Sequence, residues 1–414
     1  MSVTGMSTDG EYELSAPPVL PVEDPFYRPP ETLKRLTPGE VVRSRKVELA
    51  LFGRTRERLP AWQLMYRSTD LRGQPSISAS TVVLPAGAVG GESRPLLSFQ
   101  SAIDAVTSRC FPSYALRLGA RATGSIAQFE FLVLRRALAR GWAVSIPDHE
   151  GMAGAWGAPR EPGYRTLDGI RAALTFDPLG LEAGNQVGLW GYSGGGMATS
   201  WAAEMAPTYA PELNIVGAVL GSPVGDMASA LLRLNGGFHA GLPLMAIAGL
   251  RRVYPGLDRV IREHATPDGE RLLRSIEEQT TAIAVAHFSH HDLDRHLDIP
   301  MADVLALPEV VEMLADIQLG MHIPTMPLLV LQAVHDEIIS VKDVDGQVER
   351  YRQGGAQVTY VRDRLSEHYA LLPLSTPLVL AWLTQRFKGQ PMRARTLTSI
   401  AGYRHGRLSL THAR

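Results

Sequence analysis

Residues 188–213 read GLWGYSGGGMATSWAAEMAPTYAPEL, and they carry the clearest structural signal in the sequence. An apolar run leads into four glycines around one serine, Ser193, and a run of small residues follows. Glycine loses more backbone freedom on folding than any other residue, so such a cluster indicates a backbone shape or a close approach that side chains would prevent. Gly191 and Gly195 flank Ser193 in the spacing G-x-S-x-G, which predicts a sharp strand-to-helix turn that exposes the serine hydroxyl.

The surrounding pattern predicts the fold class. Near-continuous apolar runs alternate with helical patterns, which indicates a parallel sheet covered on both faces. Three earlier runs, RKVELALFG, AWQLMYRST and STVVLP, predict an antiparallel start. We therefore expect an α/β protein with the α/β-hydrolase fold, built on a mixed, mostly parallel, doubly wound sheet. The later strands are predicted in PLLSFQ, WAVSIPD, VGLWGYS, IVGAVLGSP, PLLVLQAVHD and QVTYVRD.

The chain divides into four predicted parts. Residues 1–40 are rich in proline and predict an extended N-terminal arm. Residues 41–223 and 327–388 form the predicted core. Residues 224–326 interrupt the alternation with mostly helical patterns over a length too great for a simple connection, which predicts an inserted helical cap. Residues 389–414 are predicted to be a C-terminal tail or flap.

The residues that follow the later predicted strands include candidates for the catalytic acid and base that would activate Ser193. A serine hydroxyl is a weak nucleophile without a base, and the α/β-hydrolase order is serine, then acid, then histidine. Asp336 follows the run PLLVLQAV, and His368 lies in the loop after QVTYVRD, which makes Ser193, Asp336 and His368 the predicted catalytic residues. Glu337 is an alternative acid, and His335 is interpreted as a neighbour or wall residue.

Other polar clusters are interpreted as structural. The segment HFSHHDLDRH, residues 287–296, lacks the spacing of a zinc site, so we interpret it as a polar part of the cap. The motif PDHEG, residues 147–151, follows a predicted strand, and its Asp148, His149 and Glu150 either reach the rim of the site or form a structural turn. Trp156, Trp190 and Trp201 are interpreted as core or wall residues.

Composition excludes several classes of function. The 414 residues carry a formal net charge of −1, which gives no electrostatic footprint for nucleic acid. The single cysteine, Cys110, cannot form an intramolecular disulfide. The acidic N-terminus has no basic start and no apolar core of a secretory signal, and no apolar stretch is long enough to span a membrane. These features predict a cytoplasmic protein with no metal or cofactor.

The chain resembles the secretory lipase family of α/β hydrolases. The matching stretches include SFQSAIDAVTSRCFPSYALRLG, GWAVSIPDHEGM and the segment from GYSGGGMATSW to YAPELNIVGAVLGSPVGD. The resemblance implies a helical cap that shapes an acyl tunnel. It also implies an oxyanion hole formed by Gly194 and by Asp104, which would donate through a protonated side chain or through its backbone N–H. The alternative for Asp104 is a helix cap, and Ser101 could line the same loop.

These features predict a serine-dependent carboxylic ester hydrolase that forms an acyl-enzyme on Ser193. The expected partner is a small-molecule or lipid ester, with transient contact with a lipid interface. The segment GLPLMAIAGL, residues 241–250, could provide that contact, although a buried cap helix is the favoured interpretation. Two alternatives stay open: an acyltransferase that uses the same three residues, and a non-catalytic protein that binds a hydrophobic ligand.

Overall fold

The computed structural model describes residues 17–88, 93–392 and 394–399. Within these ranges the chain forms twelve strands. They are β1 (Val41–Lys46), β2 (Leu49–Leu51), β3 (Thr55–Glu57), β4 (Ala61–Thr69), β5 (Pro75–Val83), β6 (Leu96–Gln100), β7 (Ala143–Pro147), β8 (Val187–Tyr192), β9 (Ile215–Gly221), β10 (Leu328–Ala333), β11 (Val358–Asp363) and β12 (Arg395–Leu397).

Ten of these strands form one mixed sheet in the order β1-β4-β5-β7-β6-β8-β9-β10-β11-β12. The pairs β1/β4, β4/β5 and β5/β7 are antiparallel, and every pair from β7 to β12 is parallel. The predicted mixed, mostly parallel sheet is therefore confirmed. The predicted strand RKVELALFG is wrong as one element, because β1 ends at Lys46 and β2 forms a separate hairpin with β3. A turn at Gly53, with φ of 68°, joins that hairpin.

The described residues also contain thirteen α-helices. They are α1 (Pro112–Ala115), α2 (Ala127–Leu138), α3 (Glu161–Thr175), α4 (Gly194–Tyr209), α5 (Met227–Leu234), α6 (Gly241–Leu250), α7 (Pro255–His264), α8 (Pro267–Ile276), α9 (Thr281–His287), α10 (Met301–Leu305), α11 (Pro308–Asp316), α12 (Val341–Gln353) and α13 (His368–Phe387).

Apolar side chains project from both faces of the sheet into two separate cores, as expected for a doubly wound sheet. Along β8, Leu189 belongs to the core under α3, α4 and α12, whereas Trp190 belongs to the core under α1, α2 and α13. Successive side chains of a strand point to opposite faces, so a strand covered on both sides is apolar at every position. The carboxyl ends of the central strands, including the end of β8 before Ser193, are therefore fixed between two packed layers.

Helices α5 to α11 lie between β9 and β10, in the region that the sequence predicts as a cap. Extended residues divide this helical region at two points. Thr280 is extended, so α8 and α9 are separate, and the extended Leu307 before Pro308 separates α10 from α11. Nearly all of α6 is buried, which agrees with its interpretation as a cap helix. The domain boundaries at 223/224 and 326/327 stay a prediction.

The chain ends differ in part from expectation. Residues 395–397, predicted to belong to a tail or flap, form β12 and pair in parallel with β11 at the edge of the sheet. Residues 17–40 of the predicted arm contain two short 3-10 turns, at Pro25–Tyr27 and Leu33–Arg35. Residues 1–16 and 400–414 lie outside the described residues. None of the helices in the described ranges has the length and apolarity needed to cross a bilayer.

Candidate active site

Ser193 lies in the turn that joins β8 to α4. Its backbone has φ of 56° and ψ of −124°, a conformation that costs roughly 1–3 kcal/mol for a residue with a side chain. The glycines make this turn possible by allowing close approach. A Cβ at Gly191 would lie 2.1 Å from the Gly195 carbonyl oxygen, and a Cβ at Gly195 would lie 2.0 Å from the Gln100 carbonyl oxygen. The elbow therefore packs directly against the end of β6.

The structure brings the three predicted catalytic residues into hydrogen-bond contact. Nε2 of His368 lies 3.0 Å from Oγ of Ser193, and Nδ1 of His368 lies 2.8 Å from Oδ2 of Asp336. His368 and Asp336 are buried, whereas Ser193 is partly exposed. In this arrangement the imidazole can accept the serine proton while the carboxylate holds the ring.

Asp336 is held as a carboxylate. Its Oδ1 accepts the N–H groups of Ile338 and Ile339 at 2.8 and 2.7 Å, and its Oδ2 accepts Nε2 of Gln332 at 3.0 Å. Burial would raise the pKa of Asp336, but the charge and hydrogen bond of His368 together with the backbone N–H groups outweigh burial and lower it. The negative charge is therefore available to stabilise a protonated His368.

Glu337, the alternative acid, contacts the same histidine at a different atom. Its Oε2 accepts the backbone N–H of His368 at 3.2 Å and makes no hydrogen bond to the imidazole. The neighbouring His335 is exposed. The acid that contacts the ring is therefore Asp336, and Glu337 fixes the start of α13, where His368 is the first residue.

A tyrosine that the sequence analysis did not single out supports the histidine. Tyr192, the residue before the nucleophile, donates its hydroxyl proton to the His368 carbonyl oxygen at 2.5 Å. The Ser222 hydroxyl donates to the same tyrosine oxygen at 3.0 Å. Tyr192 lies in an apolar strand, so only its adjacency to the elbow could have pointed to it in the sequence.

Asp104 lies in the loop after β6, directly beside the N-terminus of α4. A Cβ on Gly194 would lie 1.6 Å from Oδ1 of Asp104, so the missing side chain at Gly194 leaves the space that this carboxyl occupies. The backbone N–H of Asp104 donates to Oε1 of Glu150 at 3.1 Å. We expect Asp104 to donate a hydrogen bond to the oxyanion through its backbone N–H or its side chain. The backbone N–H is already bonded to Glu150, and the side chain is the group that faces the elbow.

The Asp104 carboxyl has an unusual proton affinity. Burial raises its pKa to about 7, although His368, the Trp156 indole and the Gly194 N–H each act to lower it. Oδ1 of Asp104 and Nε1 of Trp156 are both buried and complete no hydrogen bond within the described residues. A carboxylic acid in this position can donate a hydrogen bond to an oxyanion, together with the Gly194 N–H.

A small cavity joins the serine to the helices above it. It has a volume of about 30 Å³, and its lining includes Ser193, Asp104 and Trp156. A second cavity of about 90 Å³ is lined almost entirely by apolar side chains of α5 to α11. The two share three lining residues, Met227, Leu231 and Ala246. The apolar cavity among the helices therefore adjoins the cavity at the serine.

The other sequence candidates have structural positions. Asp148 accepts the backbone N–H of Ser113 at 3.0 Å and ties the loop after β7 to α1. Trp190 and Trp201 lie in the core, whereas Trp156 lines the cavity at the serine. Ser101 donates its hydroxyl proton to Glu130 and does not face the cavity. In the described ranges, neither the histidines of segment 287–296 nor any other group of ligating side chains is arranged to hold a metal ion.

Comparison with known proteins places this site in a family. The sequence profile of the family described as secretory lipase matches residues 116–394, about two thirds of the chain. The chain belongs to the secretory lipase family. This membership confirms the resemblance, and it makes the chain an ester hydrolase of the α/β-hydrolase fold.

Individual secretory lipases and related structures support the assignment. A Mycobacterium tuberculosis protein named "Probable inactive lipase" is 52% identical over 92% of this chain and 86% of its own length. Lipase A of Arthroderma benhamiae is 37% identical over 90% of this chain and 81% of its own length. The crystal structure of Candida antarctica lipase A superposes with a TM-score of 0.86 at 27% identity, covering 94% of this chain and 91% of that one.

The predicted cytoplasmic location is wrong. The family is described as secretory, and relatives from two Malassezia species are named secreted triacylglycerol lipases. The prediction rested on the composition of the N-terminus, of which residues 1–16 lie outside the described residues.

The variant Gly194→Ala should reduce catalysis at this site while leaving the stability of the fold almost unchanged. The added Cβ collides with the end of the Asp104 side chain, which can turn away without moving the backbone. We expect a change of less than about 1 kcal/mol in unfolding free energy and a decrease of roughly 100-fold in kcat on a nitrophenyl ester. Denaturant titration and steady-state kinetics measure the two effects.

Gly184→Ala is the matched control, because a Cβ at Gly184 meets no atom within 4 Å. It should leave both quantities unchanged. Equal activity of the two variants would contradict the role assigned to the space beside Gly194.

Proposed function

We propose that this secretory lipase hydrolyses acyl esters through a covalent acyl-enzyme on Ser193. The observation that carries the proposal is the unbroken hydrogen-bonded series from Ser193 Oγ through His368 to Asp336, at 3.0 and 2.8 Å. This series lies beside an aspartic acid and a helix N-terminus that point at the same cavity. These are the nucleophile, base, orienting acid and oxyanion donors that acyl transfer needs.

The first half-reaction acylates the serine. His368 takes the Ser193 proton as Oγ attacks the ester carbonyl carbon, and the carbonyl oxygen becomes an oxyanion. Gly194 N–H and protonated Asp104 stabilise this oxyanion. The bond to the alcohol oxygen then breaks, and the alcohol leaves with the proton held by His368.

The second half-reaction restores the enzyme. Water attacks the acyl carbon while His368 takes one of its protons, and Asp336 stabilises the resulting imidazolium. The bond to Ser193 Oγ then breaks, Oγ regains its proton from His368, and the carboxylic acid is released. The step needs no metal ion and no further reactant besides water.

The acyl chain is assigned to the apolar cavities under α5 to α11. The path from Ser193 passes Met227, Leu231 and Ala246 and enters a space lined by leucine, isoleucine, valine and methionine side chains. Burial of each methylene group contributes about 0.8 kcal/mol, so such a path favours acyl chains longer than acetate. We therefore assign a lipid acyl ester as the substrate class. The relatives named triacylglycerol lipases are consistent with it.

Ser193→Ala tests the proposal directly. The variant lacks the nucleophile but keeps the fold, so we expect loss of turnover by at least about 10⁴-fold on nitrophenyl butyrate. A fluorophosphonate probe should label the native chain and leave the variant unlabelled. Native protein that neither turns over esters nor reacts with the probe would contradict the proposal and favour a non-catalytic protein that binds a hydrophobic ligand.

Ionisation of Asp104 should make kcat decrease at alkaline pH. Its pKa of about 7 means that the carboxyl is neutral at lower pH and becomes an anion beside the developing oxyanion at higher pH. We expect kcat to fall as pH rises through about 7. Asp104→Asn carries amide donors at every pH and should lose this decrease. A pH profile of kcat for both proteins, with Ser193→Ala as the blank, measures it; the same alkaline decrease in both would exclude Asp104 as its source.

Leu231→Phe tests the acyl path. The larger ring narrows the passage that the two cavities share, so nitrophenyl palmitate should lose about tenfold in kcat/KM, the loss of roughly two buried methylene groups. Nitrophenyl acetate should lose less than about threefold, because its acyl group ends before the passage. The neighbouring Leu232 is 53% exposed, so Leu232→Phe is the matched control. Equal losses on both esters would place the acyl chain elsewhere.

A further inference from the structure

The loop that carries Asp104 is tied down by three buried ionisable side chains. Oε1 and Oε2 of Glu130 accept the Ala102 N–H at 3.2 and 3.1 Å, and Nε2 of His149 lies 2.8 Å from the Ser101 carbonyl oxygen. Glu150 makes the third tie through the Asp104 N–H at 3.1 Å. Glu130, His149 and Glu150 are each no more than 2% exposed.

Among these three, Glu150 contacts the functional residue itself. Asp104 has φ of 44°, in the left-handed region that residues with a side chain rarely adopt, at a cost of roughly 1–3 kcal/mol. The hydrogen bond to Glu150 joins the backbone at this strained position to the loop after β7. Strain of this kind persists only where neighbouring contacts hold it, and the Glu150 side chain supplies such a contact.

We propose that Glu150 is a positioning residue of the oxyanion hole, because its side chain holds the left-handed backbone that aims the Asp104 carboxyl at the elbow. This inference rests on the proposed function and extends it to the motif PDHEG. Glu150 touches neither the cavity nor Ser193, so it acts through Asp104 and not on the substrate.

The surroundings of Glu150 favour its neutral form. Burial raises its pKa well above the usual range and Asp104 raises it further, while the Asp104 and Ala105 N–H groups and Arg165 act in the opposite direction. Its Oε2 is buried and has no hydrogen-bond partner among the residues that the structure describes. What Glu150 contributes is then an acceptor oxygen and not a charge, so glutamine should replace it well.

A matched pair of variants distinguishes the hydrogen-bond acceptor of the Glu150 side chain from the space that the side chain fills. Glu150→Gln keeps a carbonyl oxygen for the Asp104 N–H, whereas Glu150→Met fills similar space with only a weak acceptor. We expect Glu150→Gln to keep kcat within about threefold on nitrophenyl butyrate. Glu150→Met should lose roughly 10- to 100-fold in kcat with little change in KM, because the lost interaction is made only in the transition state.

A double-mutant cycle distinguishes positioning from general structural support. In the Asp104→Ala background the side chain to be positioned is gone, so Glu150→Met should change kcat by less than about twofold. An equal loss in both backgrounds would overturn the inference, as would full kcat in Glu150→Met or a large loss in Glu150→Gln. If Glu150→Met does not fold, Glu150→Leu, which also lacks an acceptor for the Asp104 N–H, replaces it in the same cycle with the same expected loss.

The failure of this inference differs from the failure of the proposed function. If the native chain does not turn over esters, the proposed function fails and the inference falls with it. If the native chain is active and the two Glu150 variants behave alike, only the inference fails.

Discussion

The close approach of the nucleophile elbow to the end of β6 is the constraint on which the rest of the structure depends. The Ser193 N–H donates to the Gly221 carbonyl oxygen at 2.9 Å, and Gly195 leaves no room for a Cβ against Gln100. The strained serine is therefore held between two neighbouring strands by backbone contacts. The end of β6 is packed against Gly195, so the loop that follows β6 passes next to the N-terminus of α4. This path places Asp104 beside Gly194.

Burial of that loop sets the chemistry of the site. Desolvation is the largest influence on Asp104, Glu150 and Glu130. It raises the pKa of Asp104 to about 7, that of Glu150 well above its usual range and that of Glu130 to about 8. Asp336 meets the opposite situation, because His368 and two backbone N–H groups lower its pKa. Two carboxyl groups near one histidine thus acquire different proton affinities from their surroundings, one suited to donate a hydrogen bond and the other to carry charge.

The helices between β9 and β10 set what reaches this chemistry. Apolar side chains of these helices, including the almost fully buried α6, surround the cavity of about 90 Å³. The elbow and the histidine loop belong to the sheet, whereas the apolar cavity belongs to these helices, so the candidate site lies where the two meet. Family membership identifies the reaction class as ester hydrolysis.

The sequence by itself determined the fold class, the elbow and the order of serine, acid and histidine, because strand and helix periodicity and glycine spacing are local properties. Tertiary structure alone decided that Asp336 and not the adjacent Glu337 contacts the imidazole, that Asp104 presents its side chain, and that residues 395–397 complete the sheet. Glu150 and Asp104 are 46 residues apart in the chain. Contacts over such distances depend on the path of the folded backbone, and no local pattern records that path.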